Sequence, residues 1–344
     1  MLTIHLPIIG RDFSLTVLVT LGFCAGVLGG FFGVGGAWIV TPALNIFGIN
    51  IAYAIGTDLA HIFGKSIIAT KKHSRMGNVD WRLGLLSVIG SVIGMEAGRR
   101  MVLYLEHIGR VEGVVRWGYM LFLFGLGVFM LTDYITNLRR RNRPGHVSEG
   151  EMSHESAGTL ARFLRKISLP PFLALPTSGI SRISFWVIFL IFGLTGFFSG
   201  FMGVGGGFIL LPALIYLIGC PTTVAVGTSL LSVCLMSAYG CFTYALAGRV
   251  EVIAAAIMLV SAAVGSQIGV LATRYVQGYG IRLLFSVMII LAGISVSLKQ
   301  AYAEWQITLL ETLSVYSVMG AAILITAFIL IRLVLGIRKT GMTE

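Results

Sequence analysis

The feature that most constrains this chain is a stretch that occurs twice. Gly30-Phe31-Phe32-Gly33-Val34-Gly35-Gly36 runs on to Pro42-Ala43-Leu44, and Gly200-Phe201-Met202-Gly203-Val204-Gly205-Gly206 runs on to Pro212-Ala213-Leu214. Ten of the fifteen positions are identical. After a one-residue slip, an offset of 171 aligns Gly56-Thr57 with Gly227-Thr228, Gly77 with Gly248, Val79 with Val250, Gly94 with Gly265 and Gly98 with Gly269. Register held over that distance marks an internal duplication, so the two halves are expected to share one plan.

Composition says where that plan operates. Hydrophobic residues make up 56% of the chain and charged residues 11%, against about 25% charged in an ordinary soluble domain. The reading is an all-α polytopic membrane protein, multi-pass in the inner or plasma membrane, with the lipid bilayer as its solvent. A chain of 344 residues holds on the order of ten spans of about 20 residues each. The sequence pI of about 9.8 would suit a nucleic-acid partner, but in a membrane protein basic residues mark cytoplasmic loops, so no nucleic acid is expected. Cys24, Cys220, Cys234 and Cys241 lie in or beside apolar runs without C-x-x-C spacing and read as small buried hydrophobes. The first apolar run continues into the repeat motif, which argues against a lone cleavable signal peptide.

Four regions follow: residues 1–136 as a first transmembrane repeat, 137–183 as a cytoplasmic linker, 184–299 as a second repeat, and 300–344 as an extra C-terminal helix and tail. In each repeat a long apolar run meets three glycines within four residues, and each glycine lowers helix propensity by about 1 kcal/mol. The twelve apolar residues that follow are too few to span. Gly-broken or re-entrant helices are therefore predicted, a form tolerated at membrane depth only inside protein or against water. An odd number of segments in each half gives inverted repeats with the N-terminus outside, whereas a mere kink at the glycines would give parallel halves. With the linker inside, basic residues at 71–82 and 274–282 and at the C-terminus also fall inside.

Several residues could carry chemistry. Gly33, Gly35, Gly36 and their counterparts Gly203, Gly205, Gly206 and Gly207 lack the preceding strand of a nucleotide loop. They suit tight packing combined with an anion cradle, because bare N–H groups and a helix start gather there. Thr57, Thr228 and Ser229 place hydroxyls at matched depths, for a ligand or for a bond to their own preceding turn. Asp58, His61 and Lys65 share one helical face, and the halves diverge there, since Ser229, Ser232 and Met236 take their places. Ionisable groups inside a membrane are functional candidates. Lys65 would hold a substrate anion; Asp58 or His61 would carry a coupling proton; the alternative is a structural ion pair. No metal site, cofactor or catalytic residue is expected. Glu96, Arg99 and Arg100 read as an interfacial cluster at a helix end. Glycines at 90, 94 and 98 and at 265 and 269 suit close helix contact, within the chain or across a homodimer.

The two glycine turns, each leading to Pro-Ala-Leu, together with Gly56-Thr57-Asp58-Leu59, Gly227-Thr228-Ser229-Leu230 and the Gly77-Asn78-Val79-Asp80 turn, resemble the TauE/SafE family of sulfite or organosulfonate exporters. The likeness covers roughly residues 15–135 and 184–298. It implies a secondary transporter for a small sulfur-containing anion, sulfite or a C2 sulfonate, coupled to a proton or sodium gradient. It also implies functional weight on the glycines above and on Pro42, Pro212, Thr57 and Thr228. The long linker, the C-terminal span and the charged Asp58/His61/Lys65 face depart from the simpler family pattern. The rival readings are an intramembrane enzyme using Asp58 and His61, a non-transporting sensor or subunit, and a passive channel.

Overall fold

The computed structural model describes residues 3–34, 37–141, 169–203, 205–275 and 279–340. Each half opens with a short antiparallel hairpin: β1 (Thr3–Leu6) with β2 (Arg11–Ser14), and β3 (Phe172–Leu175) with β4 (Ile180–Ser184). The first half then runs α1 (Leu15–Phe32), α2 (Ala37–Ile46), α3 (Ile51–Arg75), α4 (Trp81–His107) and α5 (Val111–Arg141). The second runs α6 (Phe185–Met202), α7 (Gly207–Pro212) with a π-helical turn at Ala213–Ile218, α8 (Thr222–Leu246), α9 (Val252–Ala272) and α10 (Tyr279–Trp305). A last helix, α11 (Thr308–Thr340), stands outside the repeat. Among the described residues, seven helices are long and apolar enough to cross a membrane. The protein is an all-α, multi-pass membrane protein. Residues 142–168 of the expected linker lie outside the described residues.

Glycine stops α1 and α6 in the same way. Gly33 has φ 76° and Gly203 φ 74°, left-handed conformations that a Cβ disfavours. Their N–H groups donate back to the carbonyls of Gly29 and Ser199. The chain beyond the first stop then returns the way it came. Phe13, just before α1, and Phe47, just after α2, lie with ring centroids 6.0 Å apart. Arg11 donates to the Gly48 carbonyl at 2.7 Å. Thus α1 and α2 form a re-entrant hairpin whose two ends share one end of the bundle. Helices α3 and α4, of 25 and 27 residues, are about 37–40 Å long, enough in length to cross a bilayer.

Pairs across the duplication dominate the packing: α1 lies on α9, α6 on α4, α3 on α8 and α5 on α10. The glycine ladder explains the close approach. A Cβ at Gly90 would lie 2.5 Å from the Phe189 carbonyl oxygen, Gly94 and Gly98 abut the backbones of Gly193 and Phe197, and Gly26 lies 2.5 Å from the Ala262 carbonyl by the same measure. Gly265 and Gly269 abut Phe23 and Val27, the positions 170 residues before Gly193 and Phe197. The ladders are therefore used within the chain, half against half.

Two reciprocal clasps fix the ends. Asp80, the N-cap of α4, accepts from Leu83 N at 3.1 Å and from Ser178 Oγ in the β3–β4 turn at 2.7 Å. Glu251, the N-cap of α9, accepts from Ile8 N at 2.8 Å and Ile9 N at 3.2 Å in the β1–β2 turn. Each hairpin thus docks on the other half. At the end holding β1–β2, cations meet carboxylates: Arg99 and Arg100 with Glu96, Arg116 with Glu112, Arg249 with Glu106, and Lys299 with Glu311. The opposite end, where α3 stops and α4 starts, holds Lys71, Lys72, Arg75 and Arg82.

Candidate functional site

The two glycine turns meet where α3 crosses α8. Gly207 lies against the Val34 backbone, with a Cβ there only 2.5 Å from the carbonyl carbon. Gly205, at φ 60°, sits between Ile62 of α3 and Val233 of α8, which are equivalent residues at the offset of 171. Gly33 packs on Val226 and Ser229, Gly203 on Ile55, and Gly206 on Met236. Gly35 and Gly36 lie outside the described residues.

Asp58, His61 and Lys65 are brought together on α3, with 0%, 0% and 2% exposure. The Asp58 carboxylate accepts twice from Thr41 of α2, from its N–H at 3.1 Å and its hydroxyl at 2.9 Å. Its other oxygen lies 3.2 Å from His61 Nδ1. With Asp58 ionised and His61 neutral, Nδ1 carries the hydrogen and Nε2 is a bare acceptor. Lys65 Nζ lies 3.5 Å from the same Nδ1. Among the described residues Nε2 has no partner, nor does Ser232 Oγ at the equivalent place on α8. A buried polar atom left so costs about 1–3 kcal/mol, which marks the crossing as a place ready for a ligand or water.

The hydroxyls expected to converge on a ligand also have protein partners. Thr57 Oγ1 accepts from Glu251 N and Thr228 Oγ1 from Asp80 N, both at 2.9 Å. These bonds join the halves symmetrically, and Gly56 and Gly227 permit them by packing on Arg249 and Asn78. Ser229 donates to the Gly33 carbonyl at 2.7 Å and the Val226 carbonyl at 2.9 Å. It holds the end of α1.

Other polar residues secure the broken helices. His73 donates from Nε2 to the Gly30 carbonyl at 3.2 Å, and Tyr244 donates to the Gly200 carbonyl at 2.7 Å. Each satisfies a last-turn carbonyl that has no partner inside its own helix, and the two are equivalent at the offset of 171. Tyr119 of α5 donates to the Met202 carbonyl. Sequence reading passed over Thr41, His73 and Tyr119. His73 opposite Tyr244 was visible in the repeat alignment, but the role of Tyr119 needs α5 placed beside α6. Glu96 gathers Arg99 and Arg100, both at 2.7 Å, with Tyr239 at 3.2 Å. Among the described residues, no three His, Cys, Asp or Glu side chains converge as metal ligands.

Paired re-entrant helices packed half against half, with ionisable groups buried at the crossing, define a polytopic membrane protein of the kind that handles solutes at mid-depth. The chain belongs to the sulfite exporter TauE/SafE family, whose profile matches residues 18–296. It is 26% identical over 289 residues to the probable membrane transporter protein YunE of Bacillus subtilis (strain 168), covering 81% of this chain and 96% of that one. A probable membrane transporter protein of Xylella fastidiosa (strain 9a5c) is 30% identical over 258 residues, covering 74% and 82%. One from Methanocaldococcus jannaschii is 24% identical over 296 residues, covering 81% and 94%. No solved structure matches the chain. Family and relatives place it among membrane transporters.

Proposed function

We propose that this transporter moves a small sulfur-containing oxyanion, sulfite or a C2 organosulfonate, by ion-coupled alternating access. The carrying observation is the Asp58–His61–Lys65 row, fully buried where the two glycine turns meet. A buried lysine there suits an oxyanion without covalent chemistry. Asp58 and His61 are proposed as the coupling groups. The coupling ion we favour is a proton. A sodium ion needs several oxygen ligands, whereas Asp58 is ringed by N–H and O–H donors from Thr41 and His61.

We propose further that the halves are inverted repeats rocking about this site. The return of α1–α2 to its starting end leaves α3, α4 and α5 to cross, an odd number, so the second half begins at the opposite end. Orientation follows from charge. At the β1–β2 end Arg99, Arg100, Arg116, Arg249 and Lys299 are paired with carboxylates, while Lys71, Lys72, Arg75 and Arg82 gather at the other, which we assign to the cytoplasm.

The test is uptake into proteoliposomes of radiolabelled sulfite, sulfate, C2 sulfonates and matched carboxylates, with imposed proton or sodium gradients. Saturable sulfite or sulfonate flux driven by the proton gradient is expected. Correctly inserted, monodisperse protein that moves no anion under either gradient would sink the reading and return the enzyme and sensor rivals to first place.

A further inference from the structure

Arg116 and Lys299 lie far apart in sequence, and neither was singled out by spacing or repeat. The fold brings them to one open cavity of about 480 Å³ at the β1–β2 end, where the α2–α3 turn faces α5 and α10. Asn45, Asn50, Tyr302 and Gln306 supply further polar walls. A second cavity of about 10 Å³, the size of one water, shares Asn45, Arg116 and Lys299 and leads on to Pro42, Ile51 and Tyr119. Pro42 directly follows Thr41, whose hydroxyl binds Asp58. Tyr119 holds the carbonyl of Met202, next to Gly203. The path thus runs from bulk solvent to the layer that covers the buried row.

The lining charge is two cations and one carboxylate. Arg116 bonds Glu112 at 2.6 Å, the Asn45 side chain at 3.2 Å and Gln300 at 3.4 Å. Lys299 bonds the Ile46 carbonyl at 3.2 Å and Glu311, behind it, at 2.8 Å. Both cations are mostly shielded, at 13% and 11% side-chain exposure, while Glu112 is 34% exposed. The long, weak bonds to Asn45 and Gln300 leave the guanidinium able to turn its fork to a planar or trigonal array of oxygens. The same contacts tie Arg116 and Lys299 to α2, the element that holds Asp58 through Thr41.

We infer that this cavity is the outer access port of the transport site, and that Arg116 and Lys299 are its first station for a small oxyanion. The inference rests on the transport reading above. An arriving anion would meet the two cations, displace Asn45 and Gln300 from Arg116, and pass inward once Tyr119 and α2 shift.

Two measurements test it in the full-length protein in proteoliposomes. With Cys24, Cys220, Cys234 and Cys241 replaced, Ala303→Cys places one thiol on the cavity wall. Relative to its rate with a free thiol, an impermeant anionic methanethiosulfonate (2-sulfonatoethyl) should modify it at least about tenfold faster than a cationic one, with an unreactive C2 sulfonate slowing the reaction and modification blocking uptake. Arg116→Gln and Lys299→Gln should each raise KM for the anion about fivefold or more, with kcat within twofold. Equal rates for both reagents, without anion protection, would overturn the port, as would unchanged KM in both variants. If the unmodified protein transports no anion, the transport reading fails. The labelling arm still decides whether the cavity admits anions: a charge preference with C2 sulfonate protection supports an anion-binding cavity, and their absence rejects it.

Discussion

Helices α3 and α8 are the same helix built twice, and one of them carries charge. Both begin with a Gly-Thr pair that bonds the opposite half's N-cap residue, both pack a glycine turn at their middle, and both end by holding a carbonyl of a re-entrant helix. Yet α3 has Asp58, His61, Lys65 and His73 where α8 has Ser229, Ser232, Met236 and Tyr244. The second half shows that this architecture forms with hydroxyls, a thioether and a phenol. The charge on α3 is therefore surplus to folding, and a buried charge in a membrane is costly enough to need another reason.

Making α3 resemble α8 breaks that comparison most sharply. Lys65→Met should abolish gradient-driven uptake, a loss of at least about fiftyfold, while detergent-solubilised protein stays monodisperse. Asp58→Ser should be the most destabilising single change on α3, because Lys65 is left buried beside a neutral ring; breaking a buried ionic arrangement costs about 3–5 kcal/mol. Combining it with Lys65→Met should recover most of that loss. A thermal-unfolding double-mutant cycle reads the difference, and additive effects would show that the two groups do not interact.

Changes aimed at the shared architecture should act alike in both halves. Gly207→Ala forces a methyl group into the Val34 backbone, a packing clash of about 1–3 kcal/mol that should lower the melting temperature and the yield. Thr57→Val and Thr228→Val each remove one acceptor from a cross-half bond, so each should cost about 1 kcal/mol and leave the KM of any transported anion within twofold. A KM rise confined to these threonines would restore them to the ligand. Smallest of all, His73→Tyr copies the second half's solution at the Gly30 carbonyl and should leave both stability and transport near wild type.

Much of this was legible because duplication is a property of sequence. The paired glycine breaks and the charged Asp58/His61/Lys65 face follow from periodicity and composition. What stayed hidden depends on which helices lie side by side. Nothing local says that Thr57 reaches Glu251, or that Asp80 takes the turn at Ser178. The hairpins at 3–14 and 172–184 have strands of four or five residues, too short for an alternation signal to stand out. Arg99 and Arg100 are paired with Glu96, and Arg116 with Glu112; pairing across helix turns or between helices is invisible to a count of lysines and arginines.

The most direct test sets Lys65→Met beside Met236→Leu, a change of similar size at the equivalent place on α8. Both are reconstituted at equal density, and initial uptake of sulfite and a C2 sulfonate is measured under an imposed proton gradient. The account predicts that Lys65→Met takes up no more than empty liposomes, while Met236→Leu stays within about twofold of wild type. Equal losses in the two variants, or full uptake by Lys65→Met, would contradict the claim that function resides in the charge the second half lacks.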